Sequence, residues 1–409
     1  MTSLITQAVP FFFLLIGLET AYSLIFRKGL YRLDDAIASL SCGAGQQVLE
    51  VFYLGAMLLL YTAIYDHARV LSQPGQTPLT WAIAFLGVDF GYYWFHRASH
   101  RVGLLWGAHV THHQSEEYNL TTALRQDAFE SAFSYLFYLP LAVLGVPPLV
   151  FLVVRQMQMI YQFGVHTRAV GRLGPLEWLF TTPSHHRVHH GKNPRYLDKN
   201  FAGVFIVWDR LFGTFEPETE TVVYGTVKPL ASWNPVRANL SVWWGLVRDS
   251  VRMPGWGERL ALWLKPPGWQ PAALGGPLAV PEVDAENYAK YAPGAPGTLA
   301  AFATAQFVPA IAATVFLPTV GPGLAPKLAL ALLLVWTLVD VGGLFEGKAW
   351  ALGAEFARLG AIALMAVLWP GLPMPVQIGV LCASAAMTVW LLMLRSRFSQ
   401  GKPAAAPAP

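Results

Sequence analysis

The chain is poor in charge and has almost no cysteine. Only 13% of its residues are charged and 54% are hydrophobic, whereas soluble domains are about 25% charged. The two cysteines, Cys42 and Cys382, lie far apart in apolar surroundings, which excludes a disulfide framework and a CxxC metal site. The first apolar run lacks a basic lead-in and an A-x-A exit, so we expect no cleavable signal peptide. This composition indicates a protein built for the lipid bilayer.

The excess of positive charge is small and scattered. The net charge is +4 at pH 7, and the basic residues stand mainly in loops between apolar segments, where they fix the orientation of a membrane protein. No basic patch carries a recognisable nucleic-acid reader motif, so we expect no nucleic-acid partner.

Nine apolar segments approach the length of about 20 residues that a membrane-spanning helix needs. They are 8–26, 47–65, 79–95, 130–145, 148–164, 299–318, 326–345, 350–369 and 374–394. The fourth and fifth are joined by GVPP (145–148), which predicts either two crossings or a re-entrant hairpin. The expected fold class is an all-α, multi-pass membrane bundle.

The same pattern predicts the domain organisation. It comprises N-terminal transmembrane helices (1–78), a histidine-rich core (79–250), a Pro/Gly-rich cytoplasmic linker (251–298), C-terminal transmembrane helices (299–396) and a disordered tail (397–409). Basic residues follow both the first and the last apolar segment and place these loops in the cytoplasm. They are Arg27, Lys28, Arg32, Arg395, Arg397 and Lys402. One topology satisfies them all, and it puts every histidine cluster on the cytoplasmic face.

Ten of the 11 histidines fall between His96 and His190, mainly in HRASH (96–100), HVTHH (109–113) and HRVHH (186–190). Residues three and four positions apart lie on one face of a helix. His166 stands just after the apolar segment 148–164, where it is well placed to point at the same centre. Imidazole binds zinc, iron, copper or nickel. Eight or nine such ligands exceed what one four- to six-coordinate ion uses, so the pattern predicts two metal ions.

Other interpretations of the histidines remain open from the residues alone. They could be structural or pH-sensing, or could belong to a metal transporter or sensor, although transport would place ionisable residues across the spans. Structural zinc uses about four ligands, typically with cysteine, whereas a pair of irons could activate O₂ for attack on a C–H bond. We therefore expect two iron ions, with zinc an alternative occupant after purification because imidazoles also bind it well.

At these residues the chain resembles the fatty acid hydroxylase/sterol desaturase superfamily of membrane di-iron enzymes, whose pattern is HxxxH, HxxHH and a later HxxHH. The likeness is greatest to the ether-lipid-cleaving, tetrahydrobiopterin-dependent members. It runs from about residue 45 to 230, through stretches such as DFGYYWFHR (89–97) and LDKNFAGVFIVWDRLFGTFEPE (197–218).

The resemblance implies that residues 79–250 form the catalytic core of an O₂-dependent lipid monooxygenase. Hydroxylation of the ether-adjacent carbon of an alkylglycerol would release an aldehyde and a glycerol derivative. The implied partners are a lipid from the bilayer, O₂, and a reduced pterin or a redox protein as electron donor. A sterol or fatty-acid desaturase or hydroxylase fed by a redox protein is the alternative.

The resemblance also implies the metal ligands. They are His96, His100, His109, His112, His113, His186, His189 and His190, with His166 as an additional ligand and His185 as a tenth. One departure is Arg101, which stands where the ether-cleaving members carry an acidic residue directly after the second histidine.

Polar residues near the histidines suggest supporting roles. Asp89 and Tyr93 share a helical stripe with His96 and His100, and a carboxylate that accepts a ligand histidine's second N–H would orient its ring. A structural hydrogen bond to a neighbouring helix is the alternative for Asp89.

Two further sets are candidates for binding small molecules. Glu116, Glu117 and Asn119 could hold the amino-pyrimidinone edge of tetrahydrobiopterin, or could cap a helix or pair with Arg125 or Arg187. In the apolar segment 148–164, polar Arg155, Gln158 and Gln162 either line the entry of a lipid headgroup or hold helices together.

Overall fold

The computed structural model describes residues 4–71, 76–321, 323–369 and 371–398. Within these ranges the secondary structure is helical, with two isolated β-bridges that pair Phe180 with Phe205 and Gly191 with Tyr224. The predicted all-α fold class is confirmed. Of the predicted tail 397–409, two residues continue the last helix and the remainder lies outside the described residues.

The helices form two groups along the chain. The first contains α1 (Leu4–Ile25), α2 (Leu33–Ala68), α3 (Pro78–Arg101), α4 (Gly103–Trp106), α5 (Val110–His113), α6 (Leu120–Ala123), α7 (Glu130–Val143), α8 (Pro148–Val165), α9 (Pro183–His189) and α10 (Val207–Leu211). The second contains α11 (Pro235–Arg252), α12 (Trp256–Leu264), α13 (Gly297–Phe316), α14 (Leu324–Phe345), α15 (Ala349–Leu368) and α16 (Met374–Phe398).

Each of the nine predicted apolar segments is a helix. In the described part of the chain, six helices are long and apolar enough to cross a membrane, namely α1, α2, α13, α14, α15 and α16. With 14 and 18 residues, α7 and α8 are about 21 and 27 Å long, shorter than a hydrocarbon core of about 30 Å. Gly145, at φ 83°, makes the tight turn between them. Their shortness favours the hairpin, which stays a prediction.

The 36-residue helix α2 joins the two groups. Near its start, Ile37 and Ala44 pack into a core with Phe302 and Leu338 of the C-terminal helices. Further along, Tyr61 packs between α3, α7 and α8 and stacks on the ring of Phe151, and every one of these side chains is buried. Because one helix serves both cores, the two groups of helices are fixed relative to each other.

Two polar contacts tie the C-terminal helices together and to the core. Arg358 on α15 donates its Nε–H to Glu355 at 2.9 Å and lies 3.8 Å from Asp340 on α14, with all three residues buried. At the end of α14, Glu346 accepts hydrogen bonds from the hydroxyl of Ser232 and the backbone N–H of Trp233. The first contact joins α14 to α15, and the second joins the end of α14 to residues 232–233 of the core.

Candidate metal centre

Four separate segments bring the histidines together. The last two turns of α3 carry His96 and His100, and His166 follows the end of α8. The two HxxHH motifs form the short helices α5 and α9 and the residues beside them. Within the part of the chain that the structure describes, these side chains make two groups whose ligand atoms lie within 4.8 Å of one another: His96, His100, His109, His113 and His189, and His112, His166, His186 and His190.

Each HxxHH motif contributes to both groups. Residues four apart share a group, as His109 and His113 do, whereas the residue between them, His112, belongs to the other. The second motif divides in the same way. The groups adjoin, because the rings of His113 and His190 stack with their centroids 4.4 Å apart. Two neighbouring histidine groups are therefore built from shared helices, and each could hold one of the two predicted metal ions.

Backbone carbonyls fix the orientation of four rings. The Nδ1–H of His96 donates to the carbonyl of Phe201 at 2.7 Å, and His166 donates to Gln162 at 2.7 Å. His112 and His189 make the equivalent bonds to the carbonyls of Arg125 and Lys199. Since a carbonyl only accepts, Nδ1 carries the proton in each ring and Nε2 presents a lone pair to the centre.

Carboxylates approach two more rings. The Nδ1 of His109 lies 3.6 Å from Glu130, a residue at the start of α7. The Nδ1 of His100 lies 3.8 Å from Asp198, which also lies 3.4 Å from Arg101. An acidic side chain thus reaches the position beside His100 from another part of the chain, although the residue after His100 is basic.

The nine histidines are buried, and some of their ring nitrogens lack the partner that a buried polar atom needs. Burial lowers the pKa of His189 to about 3 and that of His112 to about 4, which keeps both imidazoles neutral near pH 7, the form that ligates a metal. Among the described residues, buried ring nitrogens without a hydrogen-bond partner include those of His96, His100 and His190. Unsatisfied buried acceptors are costly, so these donor sets fit bound metal ions.

His185 stands apart from both groups. Its Nδ1 lies 3.4 Å from the backbone nitrogen of Thr182 at the start of α9, and its ring packs against Phe215. As α9 turns, His186, His189 and His190 point to the centre while His185 points away. The tenth predicted ligand therefore serves as part of the helix start.

Asp89 and Tyr93 support the centre through a loop, and neither makes the predicted hydrogen bond to a ligand histidine. Asp89 accepts four hydrogen bonds, from the backbone N–H groups of Val204 and Phe205 and from the side chains of Gln158 and Trp208, at 2.8 to 3.0 Å. The prediction of a carboxylate bonded directly to a ligand histidine is wrong for Asp89. Two of its partners, Val204 and Phe205, lie on the loop that carries the carbonyl of Phe201.

Asp209 also anchors this loop, a role that the sequence alone did not predict. It accepts hydrogen bonds from the backbone N–H groups of Phe201 and Ala202, both at 2.8 Å, and from the hydroxyl of Thr214 at 2.7 Å. Tyr93 joins this network through Thr214 at 2.9 Å. Two buried aspartates therefore hold the 201–205 loop, whose Phe201 carbonyl orients His96. The only sequence signal was their position within the resembling stretches.

The candidate pterin residues are engaged with the chain itself. Glu116 accepts from the hydroxyl of Tyr288 and the backbone N–H of Tyr291, and Glu117 pairs with Lys290 and Arg168. Asn119 starts α6: its Oδ1 accepts from Thr121, and its Nδ2 donates to the carbonyl of Leu30. Both the oxygen and the nitrogen of the Asn119 amide are engaged, and the two glutamates hold the segment 288–291.

Arg155, Gln158 and Gln162 lie on α8, close to the anchors. Gln158 donates to Asp89 at 2.9 Å, and the backbone carbonyl of Gln162 receives the His166 bond. Arg155 lies over the rings of Tyr135 and Tyr138, each 5.3 Å from its guanidinium, and donates to Ser134. Of the two predicted roles, these contacts correspond to holding helices together.

The fold and the site define a class of protein: a multi-pass helical membrane protein with a buried, imidazole-rich centre of two adjoining histidine groups, each able to hold a metal ion. Residues 81–214 match the model of the fatty acid hydroxylase family. This range contains all nine histidines of the centre.

Curated relatives extend the likeness beyond the core. The chain is 38% identical to alkylglycerol monooxygenase of Xenopus tropicalis over 84% of this chain and 78% of that protein. It is 44% identical to the Homo sapiens enzyme of the same name over 68% of this chain, and 42% identical to that of Danio rerio over 69%. The matches span 63% and 64% of the length of these two relatives. No solved structure matches the chain significantly.

The chain belongs to the fatty acid hydroxylase family, within its group of alkylglycerol monooxygenases. The predicted family is confirmed, and with it the prediction of an O₂-dependent lipid monooxygenase, an oxidoreductase. This membership argues against the alternative of a metal transporter or sensor.

Proposed function

We propose that the protein hydroxylates the ether-adjacent carbon of an alkylglycerol with O₂ at a two-iron centre. One oxygen atom of O₂ enters the C–H bond, and the other is reduced to water by two electrons from a donor and two protons. The hydroxylated carbon, which also bears the ether oxygen, is a hemiacetal, and its C–O bond breaks to leave an aldehyde and a glycerol derivative. The two adjoining histidine groups are the observation that carries this proposal, and the names of the relatives support the substrate.

The nine histidines would hold the metals. Iron in both groups would supply the redox chemistry that O₂ reduction and C–H hydroxylation require. The carbonyls of Phe201, Arg125, Lys199 and Gln162 keep four Nε2 lone pairs aimed inward. Burial of every histidine in the two groups keeps bulk water out.

We propose that the centre lies at the cytoplasmic face. The support is the placement of Arg27 and Lys28 after α1 and of Arg395 near the end of α16. An Arg195→Cys label tests this in a Cys382→Ser background, because Arg195 is 56% exposed beside the centre. A membrane-impermeant thiol reagent should label it in inverted vesicles only; labelling from the outer side would contradict the proposal.

We propose reduced pterin, such as tetrahydrobiopterin, as the electron donor, with Glu116 and Glu117 as the residues that hold it. Glu116 already accepts two donors from Tyr288 and Tyr291, which is the arrangement that the paired N–H groups of an amino-pyrimidinone would reproduce. Binding would then require displacement of the 288–291 segment.

An assay with purified protein tests the reaction. The protein, loaded anaerobically with iron, is given an alkylglycerol, reduced pterin and O₂, and we expect aldehyde release that the His112→Ala variant lacks. His67→Ala is the matched control, because His67 lies exposed at the end of α2, away from the centre, and should retain activity. Turnover of sterol or acyl substrates alone, with a ferredoxin-type donor, would favour the alternative desaturase or hydroxylase.

A further inference from the structure

Helix α11 carries a bare apolar stripe. Its exposed apolar side chains follow helical spacing: Val236, Leu240, Trp244, Val247 and Val251. With 3.6 residues per turn they fall within an arc of about 80°. Trp244 is 70% exposed and Val251 is 75% exposed, which is unusual for large apolar residues on a surface in contact with water.

The next helix continues the stripe. On α12, three apolar side chains spaced four apart are exposed: Trp256, Leu260 and Leu264. Trp256 is 81% exposed, and the guanidinium of Arg259 lies over its ring at 4.9 Å. The two helices are separated by three residues, and their exposed apolar side chains are here together called the α11–α12 stripe.

A neighbouring face of α11 is firmly attached to the histidine-bearing part of the core. Asn239 accepts a hydrogen bond from the backbone N–H of Ala128 at 2.7 Å, and Trp243 donates its indole N–H to the carbonyl of Leu104 at 2.9 Å. The side chain of Gln114, which follows His113 in the chain, donates to the carbonyl of Ala238 at 3.1 Å. These contacts attach α11 to the core, and the residues of the stripe take no part in them.

Basic residues border the stripe on one side. Arg237, Arg248 and Arg252 fall about 20–80° beyond its edge on the helical wheel, and the side chains of Arg248 and Arg252 are 52% and 59% exposed. Helices α11 and α12 are not among those long and apolar enough to cross a membrane. A short helix with a tryptophan-containing apolar face and an arginine-rich edge is typical of one that lies in the plane of a membrane interface.

The position of α11 in the fold fits that interface. The backbone before it, at Trp233, packs against Gly342 near the end of the transmembrane helix α14: a Cβ at Gly342 would lie 2.7 Å from the Trp233 carbonyl oxygen. The start of α11 therefore lies level with the end of a membrane-spanning helix, where lipid headgroups begin.

We propose that the α11–α12 stripe inserts into the leaflet on the side of the metal centre, and that Arg237, Arg248 and Arg252 lie among anionic headgroups. The bilayer supplies the apolar partner that the stripe lacks, and the arginines reach the phosphate layer. Through Asn239, Trp243 and Gln114, this anchor holds the histidine-bearing segment 103–114 at a defined depth beside the lipid.

Spin labels on single cysteines test the insertion in the full chain. In a Cys382→Ser background, Cys42 is buried and unreactive, so nitroxides can be placed at Trp244→Cys, Val251→Cys and, as the matched control on the same helix, Arg248→Cys. The protein is reconstituted into nanodiscs of phosphatidylcholine with phosphatidylglycerol. Collisions with lipid-soluble O₂ and with a water-soluble nickel chelate are then compared.

The stripe labels should collide mainly with O₂ and the control label mainly with the chelate. Retention of metal at the wild-type level shows that each variant is folded. Chelate-dominated collisions at Trp244 and Val251 would overturn the proposal. So would shielding from both reagents with dipolar broadening between labels, because that result would mean that a second copy of the chain covers the stripe.

Discussion

At the scale of single residues, two buried carboxylates act on the metal centre indirectly, through the 201–205 loop. Asp89 and Asp209 hold backbone N–H groups of the 201–205 loop, and the loop offers the Phe201 carbonyl to His96. Outer-shell groups of this kind orient ligand rings and change metal affinity by about 10–100-fold when they are removed. The two aspartates are therefore part of the site, although neither contacts a histidine directly.

Asp209→Asn tests this role. The amide has one acceptor where the carboxylate has two, so at least one of the N–H and O–H donors that Asp209 now satisfies would be left unpaired at a cost of about 1–3 kcal/mol. We expect metal affinity, measured by chelator competition, to fall by about 10-fold or more. Asp284→Asn is the matched control, because Asp284 is exposed in the linker and should have no effect. Unchanged affinity in Asp209→Asn, or an equal loss in both variants, would contradict the role.

The ligands and their anchors differ in how far the sequence could predict them. The nine histidines followed from spacing and resemblance, because a metal ligand must be a particular residue type at a particular helical offset. Asp209 bonds to backbone groups seven and eight residues away, and any sequence supplies such groups. The side on which His185 lies depends on the start of α9 at Pro183, which fixes the phase of that helix.

At the scale of elements, the short helices α5 and α9 determine the site. A helix of two turns or less has little stability of its own, so each is held by surrounding contacts. The presence of the nine apolar helices was predictable because apolar length is itself the physical requirement for crossing or entering a bilayer, whereas the start of α2 at Leu33, well before the predicted segment 47–65, was not. The division of each HxxHH motif between two metal groups was not, because it depends on how α5 and α9 face each other.

Part of the Pro/Gly-rich linker is attached to the core by specific contacts. The segment from Tyr288 to Tyr291 lies against Glu116 and Glu117, and the ammonium of Lys192 lies 3.5 Å from the ring centre of Tyr288. Residues beside both HxxHH motifs therefore hold it. These contacts come from residues about a hundred or more positions away, so the composition of the linker alone does not predict them.

Limited proteolysis tests the attachment of this segment. We expect Glu116→Gln to speed cleavage near Tyr288–Tyr291 several-fold, because the neutral amide weakens the hydrogen bonds from Tyr288 and Tyr291 and presents its NH₂ to one of these donors. Glu286→Gln is the matched control, since Glu286 is exposed in the same segment. Equal cleavage rates in the wild type and in Glu116→Gln would show that Glu116 does not hold the linker.

At the scale of the whole molecule, one long helix joins a metal-binding core to a second transmembrane group. Helix α2 packs against both groups. The C-terminal helices, residues 297–398, therefore support the same helix whose Tyr61 packs against α3, α7 and α8. Because the helices that carry the two histidine groups are held in this way, we expect the centre to be formed before a metal ion binds. We therefore expect each chain to hold two ions, one in each histidine group.

The most direct test is the number of metal ions bound per chain, by mass spectrometry of the intact protein under native conditions. The wild type should bind two ions, one for each histidine group. The double variant His166→Ala/His186→Ala removes two of the four ligands of one group and should bind one ion, with the helical content unchanged by circular dichroism. A single ion in the wild type, or two ions retained by the double variant, would contradict the claim that these nine histidines form two adjoining metal sites.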